Sequence, residues 1–224
     1  MERRQVAADE TRSRIVQAAR TLLLAEDFRE FTLDGIAKAA DVSRLTIYYQ
    51  FGSKAGLLEA LYDTIATSGH LQRIRDVFRY GNVALQKIHQ FIEIFVQFWD
   101  SERVVIRRLH AIGVIDPEIG QGLRARNERR RNALSVLLDQ YSVSHVFINI
   151  SEQSVLDKLH MLTSFETFDA LAVNGRSAND VYQILKMMAD ETLLISPRAV
   201  FRVDPVKTTP KLRRSRSSRR RSRS

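Results

Sequence analysis

Between residues 39 and 58 the chain reads AADVSRLTIYYQFGSKAGLL, which crowds Arg44, Thr46, Tyr48, Tyr49 and Gln50 together, with Ser43 just before them and Lys54 just after. These side chains share one capacity. Hydroxyls, a guanidinium, an amide and an ammonium all hydrogen-bond, and such groups meet phosphate oxygens and base edges. Catalysis has little to work with elsewhere: the sequence has no cysteine, no Gly-x-Ser-x-Gly, no glycine-rich phosphate loop and no paired carboxylates. His89, His110, His145 and His160 show no metal-ligand spacing with acids, so neither a metal nor a cofactor is expected and the protein is read as a non-enzyme.

Two short helices must position the polar group. Thr32 stands before LDGIAKAA, where its hydroxyl can accept an orphan backbone N–H, and Ser43 does the same before RLTIYYQ. Two helices separated by so short a turn predict a helix-turn-helix, whose second helix enters the DNA major groove. Val42, Ile47 and Phe51 supply its inner face, leaving Arg44, Leu45, Thr46, Tyr48, Tyr49 and Gln50 outside. Adjacent residues on a helix cannot both point inward, so at least one tyrosine is expected at the surface.

The flanking pattern is also helical. In ETRSRIVQAARTLLLAEDF, the residues Ile15, Ala18, Ala19, Leu22 and Leu23 form one amphipathic stripe. Gly52 and Ser53 interrupt the chain, and KAGLLEALYDTIATS resumes helical spacing with Lys54 at the positive end of the helix dipole. Further helices are predicted near 83–99, 102–112, 117–141, 152–173 and 178–195, with Asp116-Pro117 opening one and Asn174-Gly175 closing another. Only 143–150, VSHVFINI, looks like a strand; with no partner to pair with, it is expected to be a linker or a helix end. The predicted fold class is all-α.

The segment FTLDGIAKAADVSRLTIYYQFGSKAGLLEAL resembles the DNA-binding signature of the TetR family of bacterial transcriptional regulators. The matching positions are Thr32, Ile36, Ala37, Ala40, Val42, Ser43, Tyr48, Phe51, Lys54 and Leu57, and the resemblance covers roughly residues 10–65. It implies that Thr32 and Tyr48 contact phosphates, that Lys54 contacts the DNA backbone, and that Arg44, Leu45, Thr46 and Tyr49 face the groove, with Ser43 completing the set. Two positions depart from the family pattern. Asp41 stands where glycine is usual, in a left-handed turn that aspartate tolerates at a cost on the order of 1 kcal/mol. Gln50 stands where histidine or tyrosine is common.

The resemblance also sets the expected organisation: a three-helix DNA-binding domain over 1–55, and a larger helical effector-binding and dimerisation domain over 56–203. It implies a cavity for a small apolar or amphipathic effector, with Phe78, Phe91, Phe95, Phe98, Trp99, His110 and Phe165 as lining candidates. Apolar stripes in the last two long helices, through Leu162, Phe165, Phe168 and Leu171 and through Ile184, Leu185 and Met188, are expected to pair with a second copy in a four-helix bundle. The expected partners are therefore a second subunit, double-stranded DNA carrying a palindromic operator, and the effector, with repression the family's commoner mode. The arginine run RARNERRRNAL (124–134) is expected to be a solvated, salt-bridged face with Glu128 and Asp139 among its partners.

Net charge adds less than its size suggests. The formal value is +9, but residues 211–224, KLRRSRSSRRRSRS, hold one lysine and seven arginines, and the rest of the chain has 27 basic against 26 acidic residues. Residues 204–224 are expected to be a disordered basic tail able to attract any nucleic acid in a salt-sensitive way. A nonspecific nucleic-acid-binding protein driven by that tail is the competing reading. The amino terminus has no apolar stretch after its charges and no long apolar run exists, so the expected location is the bacterial cytoplasm, with the protein on the nucleoid and no membrane partner.

Overall fold

Helix starts in this protein are set largely by hydroxyls and carboxylates that accept orphan N–H groups. In the computed structural model, which describes residues 2–26, 28–68, 71–80, 83–143, 145–146, 151–193 and 196–197, Thr32 accepts from Gly35 N and Ser43 accepts from Thr46 N. Asp116, Ser151, Ser164 and Ser177 cap later helices in the same way. The resulting α-helices are α1 (Glu2–Leu24), α2 (Leu33–Ala39), α3 (Arg44–Phe51), α4 (Lys54–Ser68), α5 (Ile74–Arg79), α6 (Ala84–Ser101), α7 (Arg103–Ile115), α8 (Pro117–Ser142), α9 (Glu152–Leu162), α10 (Phe165–Leu171) and α11 (Ala178–Thr192). None among the described residues is long and apolar enough to cross a membrane.

The first four helices share one core. Ile15, Ala19 and Leu23 on α1 are fully buried, one turn apart, and α1 packs on α2 and α4. Ile36 of α2, Ile47 of α3, and Leu57 and Leu61 of α4 close this core. The larger unit is organised around α6, which touches α5, α7, α8, α10 and α11. Ile88, Phe91, Ile92, Ile94, Phe95, Val96, Phe98 and Trp99 are all buried on it, a wide apolar face opposite a polar stripe through Gln86, His89, Glu93, Gln97 and Asp100. Trp99 also satisfies its ring N–H, which donates to the Thr163 carbonyl at 3.0 Å.

Three details differ from the sequence expectation. Helix α5 was not anticipated: six residues are too few for a helical period to register, and only Val77 in it is buried. The expected 152–173 helix is two helices, because Ser164 turns its hydroxyl to Thr167 N at 3.1 Å and starts α10. The 143–150 stretch does have a pairing partner, since His145 and Val146 sit antiparallel to Pro197 and Ser196. A serine-proline pair gives no strand signal, so this partner was invisible in the sequence. The ladder is two residues per strand and leaves the class all-α. The basic tail lies outside the described residues.

Ion pairs and guanidinium contacts join the two units. Arg20 Nη2 lies 2.9 Å from the buried Glu102 carboxylate. Arg108 donates to the Leu23 and Ala25 carbonyls at the end of α1, tying it to α7. On the other side, Arg126 of α8 donates to Glu59 Oε2 at 2.7 Å and Asp63 Oδ1 at 3.1 Å on α4. The α7–α8 corner itself is tight: a Cβ on Gly120 would lie 2.6 Å from the Gly113 carbonyl oxygen. Alanine gains about 1 kcal/mol over glycine in a helix interior, yet here Gly120→Ala must push α7 from α8. Net destabilisation by about 1–3 kcal/mol is expected in chemical denaturation; a stabilised variant would show that the corner yields.

Candidate functional site

The turn before α3 takes the conformation expected of it. Asp41 adopts φ 51°, the left-handed region, and Val42 N donates back to the Ala37 carbonyl at 3.0 Å. Ser43 then caps α3, and its hydroxyl pairs with that of Thr46 at 2.8 Å. Ile47 turns inward and is buried, with Val42 and Phe51 partly buried beside it. Leu45 is 77% and Tyr49 88% exposed, and Tyr48, Arg44 and Ser43 are also exposed. Large apolar side chains held outward on a capped helix present a formed surface that has no partner within the described residues.

Arg44 lies along this surface, 3.2 Å from Asp34 Oδ2 and with its guanidinium 5.8 Å from the Tyr48 ring centroid. Thr32 caps α2 at 3.0 Å from Gly35 N and is exposed. Sequence reasoning missed Arg12. Its Nη1 donates to the Gln50 carbonyl at 2.7 Å and its guanidinium sits 4.3 Å above the Phe51 ring, while the Gln50 amide donates to the Ala8 carbonyl at 3.4 Å. Helix α3 is thereby fixed at its end as well as its start. The signal was present in the helical phase: Arg12 lies three residues before Ile15, on the buried seam of α1.

Lys54 stands where it was placed, at the first turn of α4, but its ammonium is engaged. It binds Asp116 Oδ2, while Asp116 Oδ1 accepts from Glu118 N at 3.1 Å and Ile119 N at 3.3 Å. One carboxylate thus caps α8 with one oxygen and holds α4 with the other. Burial pushes its pKa up, but Lys54 and the two backbone donors outweigh that and leave it below the usual aspartate range.

Helices α4 to α8 line a cavity of about 290 Å³. Phe91, Phe95, Phe98, Trp99 and His110 line it as expected from the sequence. Phe78 and Phe165 do not. Phe165 stands behind the wall, 5.6 Å from the Trp99 ring and 5.0 Å from that of His110, and Phe78 packs at the edge of the core on α5. His110 is paired with Glu166 at 3.0 Å, and this bond holds the Glu166 carboxyl down to about 2.

The arginine run of α8 is salt-bridged as the sequence suggested but only partly solvated: Arg124 and Arg129 are exposed, Arg126 and Arg131 half-buried and Arg130 buried. Arg126, Arg129 and Arg130 all line the cavity. Their partners are neither Glu128 nor Asp139: Arg126 and Arg129 reach Glu59, Arg131 reaches Asp157, and Arg130 has no ion pair among the described residues. Arg130 is 6% exposed, held by Asn127 Oδ1 and His160 Nε2, each at 3.1 Å, and lies 5.7 Å and 5.9 Å from the Phe95 and Trp99 rings. Burial pulls its pKa down to about 10, against a weaker upward pull from Glu166. Burial, then the Arg130 charge, lowers His160 as well and favours the neutral ring that can accept from Arg130. An unpaired buried cation costs several kcal/mol, and periodicity alone gives no sign that a long charged side chain points inward.

The predicted dimer residues divide. Leu162, Phe165, Phe168 and Leu185 are buried within this one chain and cannot form a separate interface, because the stripe they belong to packs on the core. Leu171 and Ile184 are half-buried, and Met188 is exposed together with Met161 and Met187, which were not singled out.

Residues 15–61 match the family model for bacterial regulatory proteins of the tetR family. Over 84 residues the chain is 34% identical to the HTH-type transcriptional regulator AlkX of Mycobacterium tuberculosis, an overlap of 36% of this chain and 40% of that protein. Over 67 residues it is 40% identical to the HTH-type transcriptional regulator TtgR of Pseudomonas putida, covering 30% of this chain and 32% of that one. The matched part therefore spans two-fifths or less of these curated relatives. The whole fold extends the likeness. A TetR-family transcriptional regulator from Rhodococcus sp. superimposes with TM-score 0.65 at 18% identity, over 82% of this chain and 99% of its own. NalD of Pseudomonas aeruginosa does so with TM-score 0.61 at 19% identity, over 84% and 97%. The relatives are named as regulators, in agreement with the non-enzymatic reading. With the helix-turn-helix seated on a matching helical body, residues 15–61 carry the DNA-binding domain of the tetR family of bacterial regulatory proteins, and the described fold is similar to that of TetR-family structures.

Proposed function

We propose that this protein is a sequence-specific DNA-binding transcriptional regulator, a ligand-responsive repressor that works as a homodimer on a palindromic operator. The outward face of α3 carries the reading: Leu45 and Tyr49 stand free beside Arg44 on a helix fixed by Ser43 at one end and Arg12 at the other. Such a helix fits the major groove, with Arg44, Leu45, Thr46 and Tyr49 meeting base edges and Thr32, Ser43, Tyr48 and Lys54 meeting the backbone. Repression is supported by the likeness to NalD, named as the secondary repressor of a multidrug efflux pump. One reading helix covers too few base pairs for useful selectivity, so a second copy is required, its helix about 34–36 Å away. Ligand in the cavity would press on Tyr62 and Ala66 of α4, and α4 would pass that shift to α3 through their shared packing.

Selection of the full-length protein on a randomised DNA pool at about 0.15 M salt tests the first part. An enriched palindrome is expected, and it should vanish in the Leu45→Asp, Tyr49→Ala double variant. Enrichment that survives both changes would take recognition away from α3; binding without any enrichment would favour the basic tail. Arg44→Ala should cost about 1–3 kcal/mol on the selected site and leave random DNA nearly unaffected.

The Lys54 ammonium cannot serve Asp116 and a phosphate equally well. Asp116→Asn keeps a capping oxygen for α8 but removes the charge. Binding to every DNA sequence should tighten several-fold at low salt, with a salt dependence steeper by about one counterion. An unchanged slope would mean that Lys54 never reaches DNA.

Met161, Met187 and Met188, with Ile184 and Leu171, are the apolar surface left to a partner on α9, α10 and α11. The Met187→Glu, Met188→Glu double variant should sediment as a monomer while keeping the helical spectrum of the parent, and its operator affinity should collapse. A dimer that survives the double change would place the interface elsewhere.

A further inference from the structure

Buried polar atoms without partners are rare, and among the described residues three of them lie at one place. Tyr62 Oη, Arg126 Nε and Arg130 Nε are each buried and unbonded, and all three belong to residues that line the α4–α8 cavity. All three are donors. The lining contains Arg126, Arg129 and Arg130 and neither an aspartate nor a glutamate. Arg126 and Arg129 are answered by Glu59 and His110 by Glu166, which leaves Arg130 as the lining cation with no ion pair among the described residues, feeling only the more distant charge of Glu166. Its two bonded partners, Asn127 Oδ1 and His160, are both neutral groups that hold the guanidinium in position without cancelling it.

The rest of the wall is apolar. Phe91, Phe95, Trp99, Ile106 and Leu123 bound the space beside Arg130, and about 290 Å³ is near the lower end for a small-molecule pocket. We infer that the cavity takes a small monocarboxylate with an aromatic or compact apolar body, its carboxylate paired with the Arg130 guanidinium and approached by Tyr62 Oη, its body among Phe91, Phe95 and Trp99. The inference rests on the reading of the cavity as the effector site and names the chemistry that site selects. A single unanswered guanidinium calls for one negative charge, and a planar fork suits a carboxylate. A cationic ligand of the same shape would meet the Arg130 charge and is disfavoured.

Trp99 is the sole tryptophan and lines the cavity, so its emission reports occupancy. The probes are 4-phenylbutyrate, benzoate and hexanoate, each beside its neutral amide, with 4-phenylbutylamine as the cation; none absorbs where tryptophan is excited. Titration of the full-length protein should show Trp99 emission changing with the acids, at least about tenfold weaker binding by the amides, and no response to the amine. Arg130→Met should erase the acid-over-amide preference while the variant stays at least as resistant to denaturant as the parent, since a buried unpaired charge has been removed. Arg130→Lys should keep part of the preference.

Equal binding of acid and amide, a preference that persists in Arg130→Met, or no binding by any carboxylate up to about 10 mM would overturn the inference. Loss of stability in Arg130→Met would overturn it too, by making the arginine a structural strut. The operator assay separates this from the wider reading. Acids that bind through Arg130 and leave DNA affinity unchanged would uphold the ligand class and defeat ligand-responsive repression.

Discussion

One helix has to satisfy two sites at once, and that constraint shapes the protein. Helix α4 buries Leu57, Leu61 and Ile65 completely, so it belongs to the packed interior along its whole length. Its first residue, Lys54, lies at the edge of the helix-turn-helix, and Tyr62, two turns on, lines the cavity. At about 1.5 Å per residue the separation is roughly 12 Å. A rigid helix cannot shift at one of these points without shifting at the other, because a close-packed interior transmits displacement rather than absorbing it. The Lys54–Asp116 pair and the Arg126 contacts with Glu59 and Asp63 attach both ends of that span to α8.

Charge is used here at short range. Apart from the tail, acids and bases nearly balance, and most described arginines are committed to partners on other helices: Arg20 to Glu102, Arg103 and Arg107 to Asp169, Arg131 to Asp157. These pairs fix helix against helix, and the exposed ones among them contribute little energy each. Arg130 stands apart because it is buried, oriented and unanswered, and burial makes the difference: in a low-dielectric wall a single charge discriminates among ligands far more strongly than a surface charge would.

Local signals were legible in the sequence and long-range ones were not. Thr32 and Ser43 announced the starts of α2 and α3, the α4 span was readable residue for residue, and Asp41 could be assigned its left-handed turn, because each depends on neighbours within a few positions. Five of the seven cavity candidates came from the helical phase of α6 and α7, which gives the inward side. Phase does not give what lies opposite. That is why Phe165 was placed one layer too near the cavity, why Leu162, Phe168 and Leu185 were assigned to a partner rather than to the chain's own core, and why Arg126 and Arg130 read as solvent-facing. The break at Ser164 was missed because apolar spacing continues across it.

The bonds from Arg108 to the Leu23 and Ala25 carbonyls have a mechanical consequence. They pin the end of α1 to α7, while α4 is held against α8 at a separate point. Arg20–Glu102 adds a fastening beside the first and Lys54–Asp116 another at the start of α4, and a body held at several separated points keeps no free rotation. The reading helix, fixed to α1 by Arg12, is therefore carried with α1 and α4 as one piece, and a push from the larger unit reaches it only by displacing those helices.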